Sequence, residues 1–139
     1  LPDSEVGNMM KMHVMQAVGK CLGLAENLSA SYAYPVDSLR SASFTKEYGL
    51  SPSIMDDLVY NYIAQPEDVQ KGVLLEPKGL GVYDFFAIKW LYEPIYGVQD
   101  FQEELTTLDR WIKESQQQPY CRFGSKQIGY FRGARRFGG

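Results

Sequence analysis

The sequence holds a single histidine, His13, and only two cysteines, Cys21 and Cys121. Two cysteines do not make a disulfide framework. A bond between them stays open, with two separate thiols the simpler reading. No run of about 18 apolar residues occurs, so no segment spans a membrane as a helix. Basic residues are in the minority, 14 Lys and Arg against 17 Asp and Glu, giving a net charge of −3 and a pI near 5.1. No global basic field is therefore available to draw nucleic acid. Arg132, Arg135 and Arg136 stand among glycines at the end of the chain. Such a cluster reads as a solvated tail rather than a binding patch. Leu1 is preceded by no initiating Met and no signal peptide, so the chain reads as a processed product or a piece of a longer protein.

What is present suits one globular domain. The 139 residues are 45% hydrophobic and include ten Tyr and seven Phe. That composition excludes a disordered chain. The aromatic excess is most simply core and rim packing, with a cleft or interface as the alternative. The sequon Asn27-Leu28-Ser29 arises often by chance and carries weight only on a eukaryotic secretory route.

The first element is expected over about Ser4 to Leu22. Val6, Met10, Val14, Val18, Cys21 and Leu22 recur at helical spacing and form one apolar stripe, with Met9, His13, Gln16 and Lys20 opposite. Asp3 or Ser4 can cap its start, and Gly23 can take the left-handed conformation that stops it. Residues 25 to 56 lack periodicity and carry Pro35, Gly49 and Pro52, so they read as a long ordered loop with turns. Pro66 is pre-set for the first position of a short helical turn. A second long helix is expected over Val82 to Tyr92, with Tyr83, Phe86, Ala87, Trp90 and Leu91 as its apolar stripe and Pro94 beyond its end. A third is expected over Gln99 to Gln117, capped by Asp100 and Glu103, with Phe101, Leu105, Leu108 and Ile112 as its buried face. No repeat and no strand ladder is evident.

The end of the first helix has a particular frame. Zinc proteases place two His four residues apart on one helical face, with a Glu beside the first as general base. In metzincins a Gly then turns the chain toward a third His, and a Met-containing turn lies beneath the metal. Here the frame reads Gln16-Ala17-Val18-Gly19-Lys20-Cys21-Leu22-Gly23-Leu24-Ala25-Glu26-Asn27. Downstream stand "SASYAYPVDSLRSASFT", "SPSIMD", "NYIAQPEDV" and "GVYDFFAIKWLY". On these strings residues 12 to 98 resemble the C-terminal half of a bacterial, Bacteroidetes-type family of zinc-dependent metzincin-like metalloproteinases carrying domains of unknown function. The resemblance puts Met55 in the Met-turn and keeps Gly19, Gly23 and Asn27 as scaffold.

The departures fall on the chemistry. Gln16, Lys20 and Glu26 stand at the ligand positions, and Ala17 stands where the base belongs. Asp57 and Val59 replace the Tyr and Arg usual after the Met-turn. His13, three residues before Gln16, is a packed or solvent-facing residue in the simplest reading and a relocated ligand in the other. The family implies zinc as cofactor; these residues imply no metal and no catalytic residue.

The expectation is a mainly α fold with long ordered loops, the C-terminal subdomain of a metzincin-like protease without the sheet-bearing N-terminal half. The single domain divides into the degenerate helix and its exit (1–28), a loop region with the Met-turn (29–65), a helical part (66–118) and a tail (119–139). The function implied is a non-catalytic homologue of a secreted protease, periplasmic or extracellular, acting as a binding or structural module. Its partner would be a peptide or protein, with homo-oligomerisation through an exposed first-helix face. The alternative is a metal-dependent peptidase or hydrolase with relocated or partner-supplied ligands. The Gly23 turn should also bring Glu26 back to pair with Lys20, with Gln16 donating to Glu26.

Overall fold

In the computed structural model of the protein, residues 3–118 and 120–124 are described. The expected Arg-Gly tail lies outside them, apart from its first residues. Helix α1 runs Asp3–Cys21. It ends in a Schellman closure, with Gly23 at φ 91°. The Gly23 N–H donates to the Lys20 carbonyl (3.0 Å) and the Leu24 N–H to the Gly19 carbonyl (2.9 Å). A left-handed glycine satisfies the last helical carbonyls without a Cβ penalty.

The apolar stripe of α1 does not face the body. Met10 and Val14 are 64% and 62% exposed, and Val6, Val18, Cys21 and Leu22 are also exposed. The packed side is instead Asn8, Met12, Met15 and Gly19, a 4-3-4 spacing on one helical face. Glycine decides the choice: a Cβ at residue 19 would lie 2.8 Å from the Met55 sulfur. Only that face can sit directly on the Met55 turn. Polar contacts fasten the same side, with Asn8 Nδ2 donating to Glu76 Oε2 at 2.7 Å.

Residues read as loop fold into short helical pieces: a 3-10 turn Ala30–Tyr32, α2 Val36–Leu39 and α3 Ala42–Tyr48. They are too short to show a period, and tertiary bonds hold them. The Ser41 hydroxyl accepts from the Phe44 N–H, and the Thr45 hydroxyl accepts from the Leu74 N–H at 3.2 Å. Helix α4, Pro66–Gln70, starts on Pro66 as expected, and Asp68 returns to the Gln65 N–H at 3.0 Å. Asp68 also accepts from Arg40 Nε at 2.7 Å, tying α4 to the end of α2.

The core is aromatic and lies under these pieces. Tyr34, Leu39 and Leu50 are buried, with Phe44, Leu58, Ile63, Leu74 and Tyr120 packed against them. The Tyr34 ring meets Phe44 edge-on at 5.1 Å and Tyr120 at 4.8 Å, the arrangement that ring quadrupoles favour. Core packing uses Tyr34 and Tyr120, while Tyr32, Tyr48, Tyr60, Tyr62, Tyr92 and Tyr96 are exposed, so most of the tyrosine excess lies at the surface.

Helix α5, Val82–Tyr92, and helix α6, Phe101–Gln116, have nearly the expected bounds. The Asp100 side chain accepts from the Glu103 N–H at 2.9 Å. The expected buried face of α6 is only half realised. Phe101 is 71% exposed and Leu105 is exposed, while Leu108 and Ile112 are half-buried. The physical reason is reach: α5 is 11 residues long and α6 is 16, and it is Trp111–Gln116 that lies beside α5. On α5 the expected stripe turns inward except for Leu91, which stays exposed. Among the described residues there is no strand, so the fold is mainly α, as expected.

Asp84, 1% exposed, fastens α5 to the Met55 turn. Its carboxylate accepts from the Ser53 hydroxyl (2.7 Å), the Ile54 N–H (2.8 Å) and the Gly81 N–H (2.8 Å). Burial pushes this carboxyl above its ordinary range, and the three hydrogen bonds pull the other way. Next to it the Tyr83 N–H donates to the Pro52 carbonyl at 2.9 Å. Pro52 and Gly81 are so close that a Cβ on Gly81 would run into the Pro52 carbonyl.

Two outcomes follow. Asp84→Ala leaves three buried donors unpaired and should lower unfolding free energy by about 3 kcal/mol or more, each orphan costing about 1–3 kcal/mol. Gly81→Ala should destabilise comparably, because backbone must move; urea unfolding followed by circular dichroism measures both. The second outcome concerns acid. The Arg40 hydrogen bond, then the Gln65 N–H, hold the Asp68 carboxyl below its ordinary value of 3.8. A depressed carboxylate adds stability that is complete above the unfolded value and disappears as pH falls through the folded one. Arg40→Gln should therefore flatten the fall in urea midpoint below about pH 4.

Candidate functional site

The residues of the zinc-helix frame are brought together around the end of α1. Gln16, Ala17 and Lys20 lie on its last turns, and the Schellman closure at Gly23 reverses the chain so that Glu26 returns beside Lys20. Lys20 Nζ stands 3.7 Å from Glu26 Oε1. The expected ion pair is present, with side chains 60% and 57% exposed. Gln16 behaves differently from expectation. Its amide donates to the Asp56 carbonyl at 3.2 Å, not to Glu26. The half-buried amide is drawn to a fixed backbone acceptor on the Met55 turn. Ala17 presents a methyl group to solvent. Asp57 and Val59 are exposed beyond the turn.

The scaffold under these side chains is closely tied. Met55 is buried directly beneath Gly19. Its carbonyl accepts from the Asn27 N–H at 3.0 Å. Asn27 is fully buried and uses its side chain as well: Nδ2 donates to the Arg122 carbonyl at 2.8 Å, and Oδ1 accepts from the Gly124 N–H at 3.1 Å. Asn27 thus joins the helix exit, the Met55 turn and the segment 121–124. Asp56 follows Met55 and is buried, accepting from the Ser31 hydroxyl. At the other end of α5 the Tyr92 hydroxyl donates to the Leu22 carbonyl at 2.7 Å, bracing the last turn of α1.

The donor set does not fit zinc. Zinc sites use thiolate, imidazole and carboxylate ligands. Here the three positions hold a neutral amide engaged with backbone, an ammonium and one carboxylate facing that ammonium. Lys20 would repel a cation, and Ala17 has no atom that accepts a proton. His13 is exposed, with Nδ1 2.9 Å from the Met9 carbonyl on its own helix. Among the described residues no three His, Cys, Asp or Glu side chains converge.

Sequence reasoning missed three side chains that build this site: Ser31, Ser53 and Asp84. The signal for Asp84 was available, because an acid three residues after Gly81 occupies the third helical position, where a carboxylate returns to the cap. Nothing local marked Ser31 as a partner of Asp56.

A family model described as Met-zincin matches residues 1–134. No curated protein and no solved structure matches the chain.

The geometry ranks two ways of holding the exit of α1. The exposed pair should be weak: a double-mutant cycle on Lys20→Ala and Glu26→Ala is expected to give a coupling of about 0.5 kcal/mol or less. Asn27→Ala empties a fully buried site and removes the partner of the Arg122 carbonyl and the Gly124 N–H, both part-buried bonds, and should cost about 1 kcal/mol or more. A coupling above about 1 kcal/mol together with a mild Asn27→Ala would reverse this ranking.

Proposed function

The chain belongs to the Met-zincin family, and from that premise we propose that it is a non-catalytic member, keeping a metalloprotease-like frame as a binding or structural module. The observation that carries the reading is the fate of the four chemical positions. Gln16 bonds the Asp56 backbone, Lys20 and Glu26 face each other, and Ala17 is a bare methyl. A zinc-activated water needs several anionic or imidazole ligands and a neighbouring base. Losing one ligand weakens such a site; replacing one by an ammonium and the base by a methyl removes both halves of the chemistry. The frame residues that need no metal, Gly19, Gly23, Asn27 and Met55, are all in structural use.

In this reading the working surface is the exposed apolar side of α1. Val14, Val18 and Leu22 face Leu80, Phe85 and Ile88 across an open groove of about 420 Å³ between α1 and α5. Contiguous exposed apolar surface of this kind suits a peptide or protein surface, a second copy of the chain included. The family resemblance alone supports a secreted bacterial protein, in the periplasm or outside the cell. No helix among the described residues is long and apolar enough to cross a membrane.

The test is metal content and hydrolysis together. Protein purified with added zinc is expected to retain well below stoichiometric metal, and chelator should leave its Tm unchanged. Casein cleavage should stay at background with or without zinc, since the general-base contribution alone is typically about 10²–10⁴-fold. Stoichiometric zinc with chelator-sensitive cleavage by the pure protein overturns the reading and establishes a relocated metal site.

A further inference from the structure

A second concavity opens on the exit side of the zinc-helix frame, against Gly23, Leu24 and Ala25 and away from Gln16, Lys20 and Glu26. It sits between α5, α6, the exit of α1 and the segment 121–124, with a volume of about 680 Å³. That is within the range of small-molecule sites, roughly 300–1,000 Å³. Its walls are apolar and aromatic: Phe86, Trp90 and Leu91 from α5, Ile112 from α6, and Phe123. Tyr83 closes one side, its ring stacked on Phe123 at 6.0 Å with 18° between planes.

Two observations bear on what such a cleft takes. The one charged residue among those lining it is Arg122, which is exposed. Among the described residues no carboxylate lines it. The backbone of Arg122 is fixed, because Asn27 holds its carbonyl at 2.8 Å. In addition, burial raises the two wall groups that could become anions, the Tyr83 phenol to about 12 and the Cys121 thiol above its ordinary value. Neither becomes an anion near neutrality, so nothing in the wall opposes a negative ligand.

We propose that this cleft binds a small amphipathic acid: an apolar body among Phe86, Trp90, Leu91 and Ile112, with an anionic head toward Arg122. The charge balance selects the class. An apolar cleft alone accepts any greasy molecule, whereas a single cation with no competing carboxylate favours an anion over its neutral isostere. The site does not depend on the α1 surface, and it stands or falls separately from the absence of zinc.

Two fluorescent probes share one aromatic body and differ in charge: 8-anilinonaphthalene-1-sulfonate and neutral N-phenyl-1-naphthylamine. The full chain at low ionic strength should bind the sulfonate about tenfold or more tightly, the size expected for one hydrogen-bonded charge. Arg122→Ala should erase that preference and leave the neutral probe unaffected. Leu91→Trp, at an exposed position on the cleft wall, should weaken both probes without unfolding the protein. Val14→Lys on α1 should change neither. Equal binding of the two probes by the native chain overturns the proposal. So does binding that Val14→Lys removes and Leu91→Trp leaves intact, which would put the dye on α1.

Discussion

The Asp84 carboxylate is the constraint on which the arrangement depends. One buried group accepts from Ser53, Ile54 and Gly81, so it caps the start of α5 and fixes the shape of the Met55 turn together. That turn then determines two further contacts. Met55 presents its sulfur to Gly19, and its carbonyl to Asn27. Desolvating a carboxylate is costly unless hydrogen bonds compensate. Here they come from three separate groups, two of them backbone, and they specify one geometry.

This order of dependence explains how a zinc-helix frame can persist with other side chains in it. In the protein as it stands, the positions that hold the shape are glycines, an asparagine, a methionine and a buried aspartate. None of them hydrogen-bonds a side chain at residue 16, 17, 20 or 26. Those four positions sit on the rim, where an amide, a methyl, an ammonium and a carboxylate are all tolerated at little cost. The exposed Lys20–Glu26 pair holds the helix exit only weakly, since water screens both charges.

The sequence made some of this legible and hid the rest for physical reasons. The bounds of α5 and α6, the start of α4 at Pro66 and the stop at Gly23 follow from local chemistry: caps, proline geometry and a left-handed glycine. They could be read because the signal lies within a few residues of its effect. The direction of α1 was not readable that way. Periodicity says that Val6, Met10, Val14 and Val18 share a face; it does not say whether anything covers it. The small, mixed face of Asn8, Met12, Met15 and Gly19 packs inward because Met55 needs a glycine above it, a long-range fact. The pieces from Ala30 to Tyr48 escaped because three to seven residues cannot display a helical period. Gln16 went to a backbone carbonyl 40 positions away, an acceptor that no spacing rule identifies.

Asn27 has a consequence for the order in which the molecule can be made. Its three bonding groups are answered by Met55, Arg122 and Gly124. The last two lie 95 and 97 positions downstream. A growing chain emerges from its N-terminus at roughly 5–20 residues per second, so α1 and its exit are exposed for several seconds before segment 121–124 exists. During that interval the Asn27 side chain has only water to bond. The helix exit is therefore synthesised well before the residues that lock it. A nascent chain stalled short of Arg122 would carry most of its helices and still lack the latch that closes them.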